Sequence, residues 1–123
     1  MPFLNRLLYH GFLKICQVRA ISEFENKKAV SPCLAARKFV TVSHRGEVYP
    51  CEIFLEKIGS LRDSDYNLAR IIAGNESKRI RTEIKRSKCY CQWPCAIIYN
   101  SLFDISCWKG ALKKPLYTTA QFQ

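Results

Sequence analysis

Five of the seven cysteines in this chain of 123 residues fall into two groups, and their spacing limits the fold more than any other feature. The first group is a pair of cysteines on either side of Gly46. The second group brings three cysteines together within seven residues, about forty positions later. The five candidate ligands are Cys33, Cys51, Cys89, Cys91 and Cys95. Thiolates grouped in this way in a small chain usually hold a metal ion or an iron–sulfur cluster.

A shared site would require the two cysteine groups to meet in the folded chain. Four thiolates around a tetrahedral zinc ion or a cubane cluster must approach it from several directions. A β-hairpin with a cysteine at each end supplies two of them, and the tight Cys-x-Cys-x-x-x-Cys loop supplies two or three more. Five candidates therefore compete for four places, and cysteine counting alone leaves both zinc and an iron–sulfur cluster open.

The residues around the first cysteine pair predict a β-hairpin at about 38–51. Residues 38–43 are rich in β-branched and aromatic side chains and predict the first strand. Gly46 can adopt a positive φ in the turn, and residues 47–51 predict the returning strand. Pro50 donates no backbone hydrogen bond, so we expect this strand to end there or to lie at a sheet edge.

Residues 3–20 predict an amphipathic helix whose apolar side chains recur at helical spacing. The stripe consists of Leu4, Leu7, Leu8, Phe12 and Ile15. Arg19 lies mostly off this stripe. Cys16 lies beside it and is expected to be a core or interface residue, because no partner cysteine is near in sequence. Residues 22–32 are polar and predict a connector.

Two short helices are predicted at about 64–87, the first of them capped by Asp63 or Ser64 and ended by Gly74. The segment after Cys95 is apolar and aromatic, and we expect it to wrap the cysteine site. Together with the N-terminal helix and the hairpin, these elements predict an α+β fold. In this fold the cysteine-rich loop packs on the hairpin.

The charge balance narrows the classes of partner. Twenty Lys and Arg against ten Asp and Glu give a net charge of +10, which suits nucleic acid or an acidic partner. No aromatic-plus-basic motif accompanies the charge, so we do not expect nucleic acid to be the partner. No apolar run approaches the roughly 18 residues of a membrane span, and Arg6, His10 and Lys14 interrupt the N-terminal apolar stretch. We therefore expect a cytoplasmic chain, where reduced thiols favour metal ligation over disulfides.

The first cysteine pair and its surroundings resemble the SPASM domain, the auxiliary iron–sulfur module at the C-terminal end of many radical S-adenosylmethionine enzymes. Those domains open with a cysteine, a spacer, a glycine, four residues and a second cysteine. Here Cys33, twelve residues and the run Gly46-Glu-Val-Tyr-Pro-Cys51 follow that order. Gly59-Ser60-Leu61-Arg62 is similar to the Gly-Asn-Leu-Arg-like loop that comes next in the family. The resemblance covers about residues 30–96.

Two departures from the family pattern shape what the resemblance implies. The full pattern has more cysteines downstream, whereas this chain has only Cys89, Cys91 and Cys95, with Cys107 as a candidate last member. The resemblance therefore implies a shortened form with one [4Fe-4S] cluster. The Cys-x3-Cys-x2-Cys motif of the catalytic barrel is absent, which implies that the chain alone neither binds S-adenosylmethionine nor catalyses a reaction. Its expected partner is a radical S-adenosylmethionine barrel, in the same parent chain or in a separate protein.

The resemblance also implies a division of the chain into three segments. Residues 1–29 would be a helix and linker that bridge the barrel to the auxiliary domain. Residues 30–112 would be the iron–sulfur domain, and residues 113–123 a polar tail. The alternative hypothesis is a zinc-stabilised basic module that binds nucleic acid or an acidic protein. A disulfide-linked secreted domain is disfavoured by the odd number of cysteines and the lack of a signal segment.

Overall fold

The computed structural model describes residues 3–113, and within them the predicted α+β class is confirmed. The elements in chain order are helix α1 (Phe3–Asn26), strands β1 (Thr41–Val42), β2 (Glu47–Tyr49) and β3 (Gly59–Ser60), and helices α2 (Leu68–Ala73), α3 (Asn75–Arg86), α4 (Pro94–Leu102) and α5 (Ile105–Lys113). They form two compact units. Residues up to Pro32 and from Tyr90 onward form the helical unit, and Cys33–Cys89 form the hairpin unit. Apart from Lys113, the predicted polar tail lies outside the described residues.

The hairpin unit contains the predicted β-hairpin, with shorter strands and a third strand added. β1 pairs antiparallel with β2, and β2 pairs antiparallel with β3, where Val48 lies opposite Gly59. Gly46 has a φ of +81°, and its N–H donates to the Ser43 carbonyl to close the turn. The sequence does not indicate β3, because two residues are too few to show an alternating pattern.

The core of the hairpin unit is built from the sheet, α2, α3 and the turn after Cys33. Its buried residues are Ala35, Ala36, Val48, Ile58, Ile71, Ile80 and Ile84. The half-buried side chains of Cys51 and Cys89 pack against this cluster. Two candidate ligands are therefore anchored to a hydrophobic core.

Helix α2 begins later than the sequence predicts. Asn67 is its N-cap, and the Asn67 side chain accepts a hydrogen bond from the backbone N–H three residues later. Asp65 and Tyr66 just before it have φ values of 52° and 60°. This left-handed conformation cannot continue into a right-handed helix. The predicted caps, Asp63 and Ser64, are therefore wrong.

The close approach of β3 to α2 gives a stability prediction. A Cβ atom at Gly59 would lie 2.7 Å from Cγ2 of the buried Ile71. We expect Gly59→Ala to lower the free energy of unfolding by about 1–3 kcal/mol through overpacking. Gly11→Ala is the control, because a Cβ at this position of α1 meets nothing within 4 Å; it should raise the free energy of unfolding by about 0.5–1 kcal/mol. Urea unfolding measures both changes, and a Gly59→Ala variant as stable as the parent would contradict the packing.

The helical unit packs α1 against α4 and α5. Its buried core consists of Phe12, Cys16 and Cys107, and the ring of Phe12 stacks on Trp108 with centroids 5.0 Å apart. The prediction that Cys16 is a core residue is confirmed. Part of the predicted apolar stripe of α1 is thus covered by α5 of the same chain.

The sequence does not predict helices α4 and α5. It also does not predict the last turns of α1. Helix α4 buries Asn100 and Ser101 together with Ile97 and leaves Tyr99 exposed, so hydrophobicity alone does not mark its inner face. Helix α1 continues to Asn26, into the segment that the sequence predicts as a connector. That prediction is wrong for residues 22–26.

A polar network joins the helices of this unit. Arg19 Nη1 donates to Asp104 Oδ2 at 2.8 Å and also contacts the Ser31 hydroxyl. The hydroxyl and the backbone N–H of Ser106 donate to Asp104 Oδ1 at 2.7 and 2.9 Å. The Ser106 hydroxyl above all, and then Arg19, lower the pKa of Asp104 to about 2, although partial burial opposes them. Arg19 is therefore a half-buried ion-pair partner of Asp104, the residue directly before α5.

The lowered pKa predicts a pH-dependent contribution of Asp104 to stability. A carboxyl with a pKa near 3.9 in the unfolded chain and about 2 in the folded chain stabilises the fold above roughly pH 4. This contribution disappears as the pH falls toward 2. We expect Asp104→Asn to lower the free energy of unfolding of the cluster-free chain by about 1–2 kcal/mol at pH 7, and by much less at pH 2.5. Urea titrations followed by circular dichroism measure both differences, and equal differences at the two pH values would contradict the assignment.

Candidate metal centre

The five candidate ligands are divided between the two units. The hairpin unit carries Cys33, Cys51 and Cys89, and the helical unit carries Cys91 and Cys95. Cys33 and Cys95 are exposed and the other three are half-buried, so no candidate thiol is sealed inside a core. All seven cysteines lie within residues 3–113, and no disulfide joins any of them there.

Cys51 is fixed by its backbone and by a hydrogen bond to its sulfur. It follows β2 and the fully buried Pro50. The backbone N–H of Phe54 donates to the Cys51 Sγ, with an N···S distance of 3.2 Å. Hydrogen bonds to the ligand sulfurs tune the potential of an iron–sulfur cluster. Cys51 is thus held in position before any metal arrives.

Cys33 begins a tight turn that the side chain of Arg81 on α3 holds in place. Two N–H groups of the turn donate to the Leu34 carbonyl at 3.1 and 2.9 Å. The fully buried Ala36 adopts a left-handed φ of 58°. Arg81 Nη1 donates to the Ala36 carbonyl at 2.9 Å and to the Ile72 carbonyl at 3.1 Å. Its guanidinium therefore ties the Cys33 turn to α2 and α3, a role that the sequence does not reveal within a run of basic residues.

Cys89 is positioned by the way α3 ends. The helix stops at Arg86, and Lys88 adopts a left-handed φ of 52°. A residue in this conformation commonly terminates a helix and turns the chain. The N–H of Cys89 then donates back to the Ile84 carbonyl at 3.3 Å.

Cys91 and Cys95 belong to the helical unit. The N–H of Cys91 donates to Oε2 of Glu23 on α1 at 3.0 Å, and its thiol donates to the Trp93 carbonyl with an S···O distance of 3.6 Å. Cys95 is the second residue of α4, directly after Pro94, a residue that suits the first position of a helix. Sequence reasoning misses Glu23, because a glutamate in a polar segment carries no signal that it is buried.

The other two cysteines differ from these five in their environment. Cys16 and Cys107 are 4% and 1% exposed and lie together in the core of the helical unit. Burial raises the pKa of both thiols, and the nearby Ser101 hydroxyl opposes the increase. Because metal ligands must be thiolates, these two positions are poor sites for a metal.

The donor set fits a thiolate-ligated group by its chemistry. Five accessible cysteines are available as thiolate donors. His44 is exposed at the hairpin turn. Within residues 3–113, no three Cys, His, Asp or Glu side chains are grouped so as to hold a metal ion. An iron–sulfur cluster takes cysteine thiolates as its usual ligands, and these residues supply more than the four that a cubane needs.

Comparison with known proteins identifies the family. The profile of the SPASM family, an iron–sulfur cluster-binding domain, matches residues 33–96, just over half of the chain. The chain therefore belongs to the SPASM family, and its cysteine-rich part is an iron–sulfur cluster-binding domain. No curated protein and no solved structure gives a significant match. Among the described helices, none has the length and apolar character needed to cross a membrane.

Proposed function

We propose that this chain binds one [4Fe-4S] cluster and serves as the auxiliary cluster domain of a radical S-adenosylmethionine enzyme. The five accessible cysteines are Cys33, Cys51, Cys89, Cys91 and Cys95. Four of these five would hold the cluster. The observation that carries the proposal is the family match over residues 33–96, a segment that includes all five accessible cysteines and neither buried one. When bound, such a cluster supplies an electron carrier or a substrate-holding metal site.

The chain would act together with a catalytic barrel, in its parent chain or as a separate protein. Support comes from α1, where Val18, Ile21 and Phe24 are 65%, 47% and 66% exposed. Their spacing of three residues forms one apolar ridge along the helix. We propose that this ridge faces the barrel, because the stripe around Phe12 is already used within the helical unit. The proposed compartment is the cytoplasm, where thiols remain reduced.

The chain alone should not cleave S-adenosylmethionine. The catalytic barrels of radical S-adenosylmethionine enzymes use a three-cysteine motif that leaves one cluster iron open. This chain instead offers more than three thiolates to one cluster. The iron-loaded chain is incubated without oxygen with dithionite and S-adenosylmethionine. We expect no 5′-deoxyadenosine above a cluster-free control, and no change in the electron paramagnetic resonance spectrum on addition of S-adenosylmethionine. Product or a changed spectrum would show an open iron and contradict the auxiliary role.

A further inference from the structure

Glu23 is a buried acid that contacts the cysteine loop. Its side chain lies on α1, and the residue is only 3% exposed. Oε1 accepts a hydrogen bond from the N–H of Val30, and Oε2 accepts one from the N–H of Cys91, both at 3.0 Å. One carboxylate thus joins α1 to the segment before Cys33 and to a candidate ligand 68 residues away in sequence.

A buried carboxylate is unfavourable unless its oxygens are hydrogen-bonded. Both oxygens of Glu23 are bonded, and their partners are main-chain amides whose positions the carboxylate fixes in return. An apolar side chain would fill the same space but would leave the amides of Val30 and Cys91 without this acceptor. The glutamate therefore fixes the backbone of Cys91.

We propose that Glu23 is a positioning residue for the cluster, acting through the backbone of Cys91. This inference rests on the proposed cluster site. The carboxylate holds the Cys91 N–H, so that the loop presents its thiol in a fixed place and the N–H is not free to bond a cluster sulfur. Net charge and hydrogen bonds to the sulfurs both set the reduction potential of a cluster. A retained carboxylate and an occupied N–H both lower that potential.

The test compares two glutamates of the same helix. Glu23→Gln keeps the shape of the side chain but removes its charge and one acceptor, whereas Glu25→Gln changes an exposed residue two positions away. Each variant is loaded with iron and sulfide, and the rate of iron loss to a chelator and the midpoint potential are measured. We expect Glu23→Gln to lose iron at least about tenfold faster, in line with substitutions of groups that orient metal ligands. Its potential should rise, and Glu25→Gln should match the parent in both.

A parent that takes up no cluster would defeat the proposed function itself. A parent that takes up the cluster while both variants behave like it would defeat the role of Glu23 alone. If Glu23→Gln does not fold, as judged by its helical circular dichroism, hydrogen exchange of the loaded parent decides. The Cys91 amide should then exchange at least about tenfold more slowly than an unprotected amide, and unprotected exchange there would overturn the inference.

Discussion

Replacement of Cys51 with alanine is expected to remove most of the bound iron. The sulfur of Cys51 is held by the Phe54 N–H, and its backbone follows the fully buried Pro50. We expect the other candidates not to replace it, because Cys33, Cys89 and Cys95 are each held by a hydrogen-bonded turn, a helix end or a helix. A cluster with the ligand position of Cys51 empty would be lost during purification. Iron per chain after anaerobic reconstitution measures the effect.

Cys16→Ala is the matched control for this experiment. It also removes one thiol, but from the core of the helical unit, where the pKa of Cys16 is raised by burial. We expect iron content per folded chain to remain at the parent level. Equal iron in Cys51→Ala and Cys16→Ala would contradict the assignment of Cys51 as a ligand.

Removal of the cluster should loosen residues 33–96 far more than the core of the helical unit. Ligand-binding free energy becomes folding free energy when the site does not exist in the unfolded chain. Cys51 and Cys89 pack on the hairpin-unit core, so ligands held by a cluster would restrain that core directly. We expect amide exchange in these residues to become at least about a hundredfold faster in the cluster-free chain, equivalent to roughly 2.7 kcal/mol.

The internal reference for this comparison is the helix around Phe12, whose stacking on Trp108 involves no candidate ligand. Exchange there should change little when the cluster is removed. A uniform loss of protection across both regions would indicate global unfolding. Unchanged protection in residues 33–96 would contradict the coupling between cluster and fold.

The hairpin could be predicted from the sequence because its signals are local. Gly46 is needed for the positive φ of the turn, and the residues on either side include the β-branched and aromatic side chains that favour strands. Cys16 could be predicted as a core residue from its place beside the apolar stripe of α1. The family followed from the spacing of Cys33, Gly46 and Cys51.

The remaining features depend on contacts between distant parts of the chain. The start of α2 was misplaced because the left-handed backbone of Asp65 and Tyr66 has no reliable sequence signal in residues other than glycine. Nothing local in the sequence marks Glu23 and Arg81 as the residues that hold Cys91 and the Cys33 turn across long sequence separations. Which four cysteines ligate the cluster is likewise a question of tertiary position and stays a prediction.

The most direct test of the central claim is the iron, sulfide and zinc content of the chain after purification and reconstitution without oxygen. A [4Fe-4S] domain should contain about four iron and four acid-labile sulfide per chain, with a brown colour and broad absorption near ~400 nm. Zinc should be far below one per chain. A colourless protein with about one zinc and no sulfide per chain would contradict the claim and favour a zinc-stabilised module.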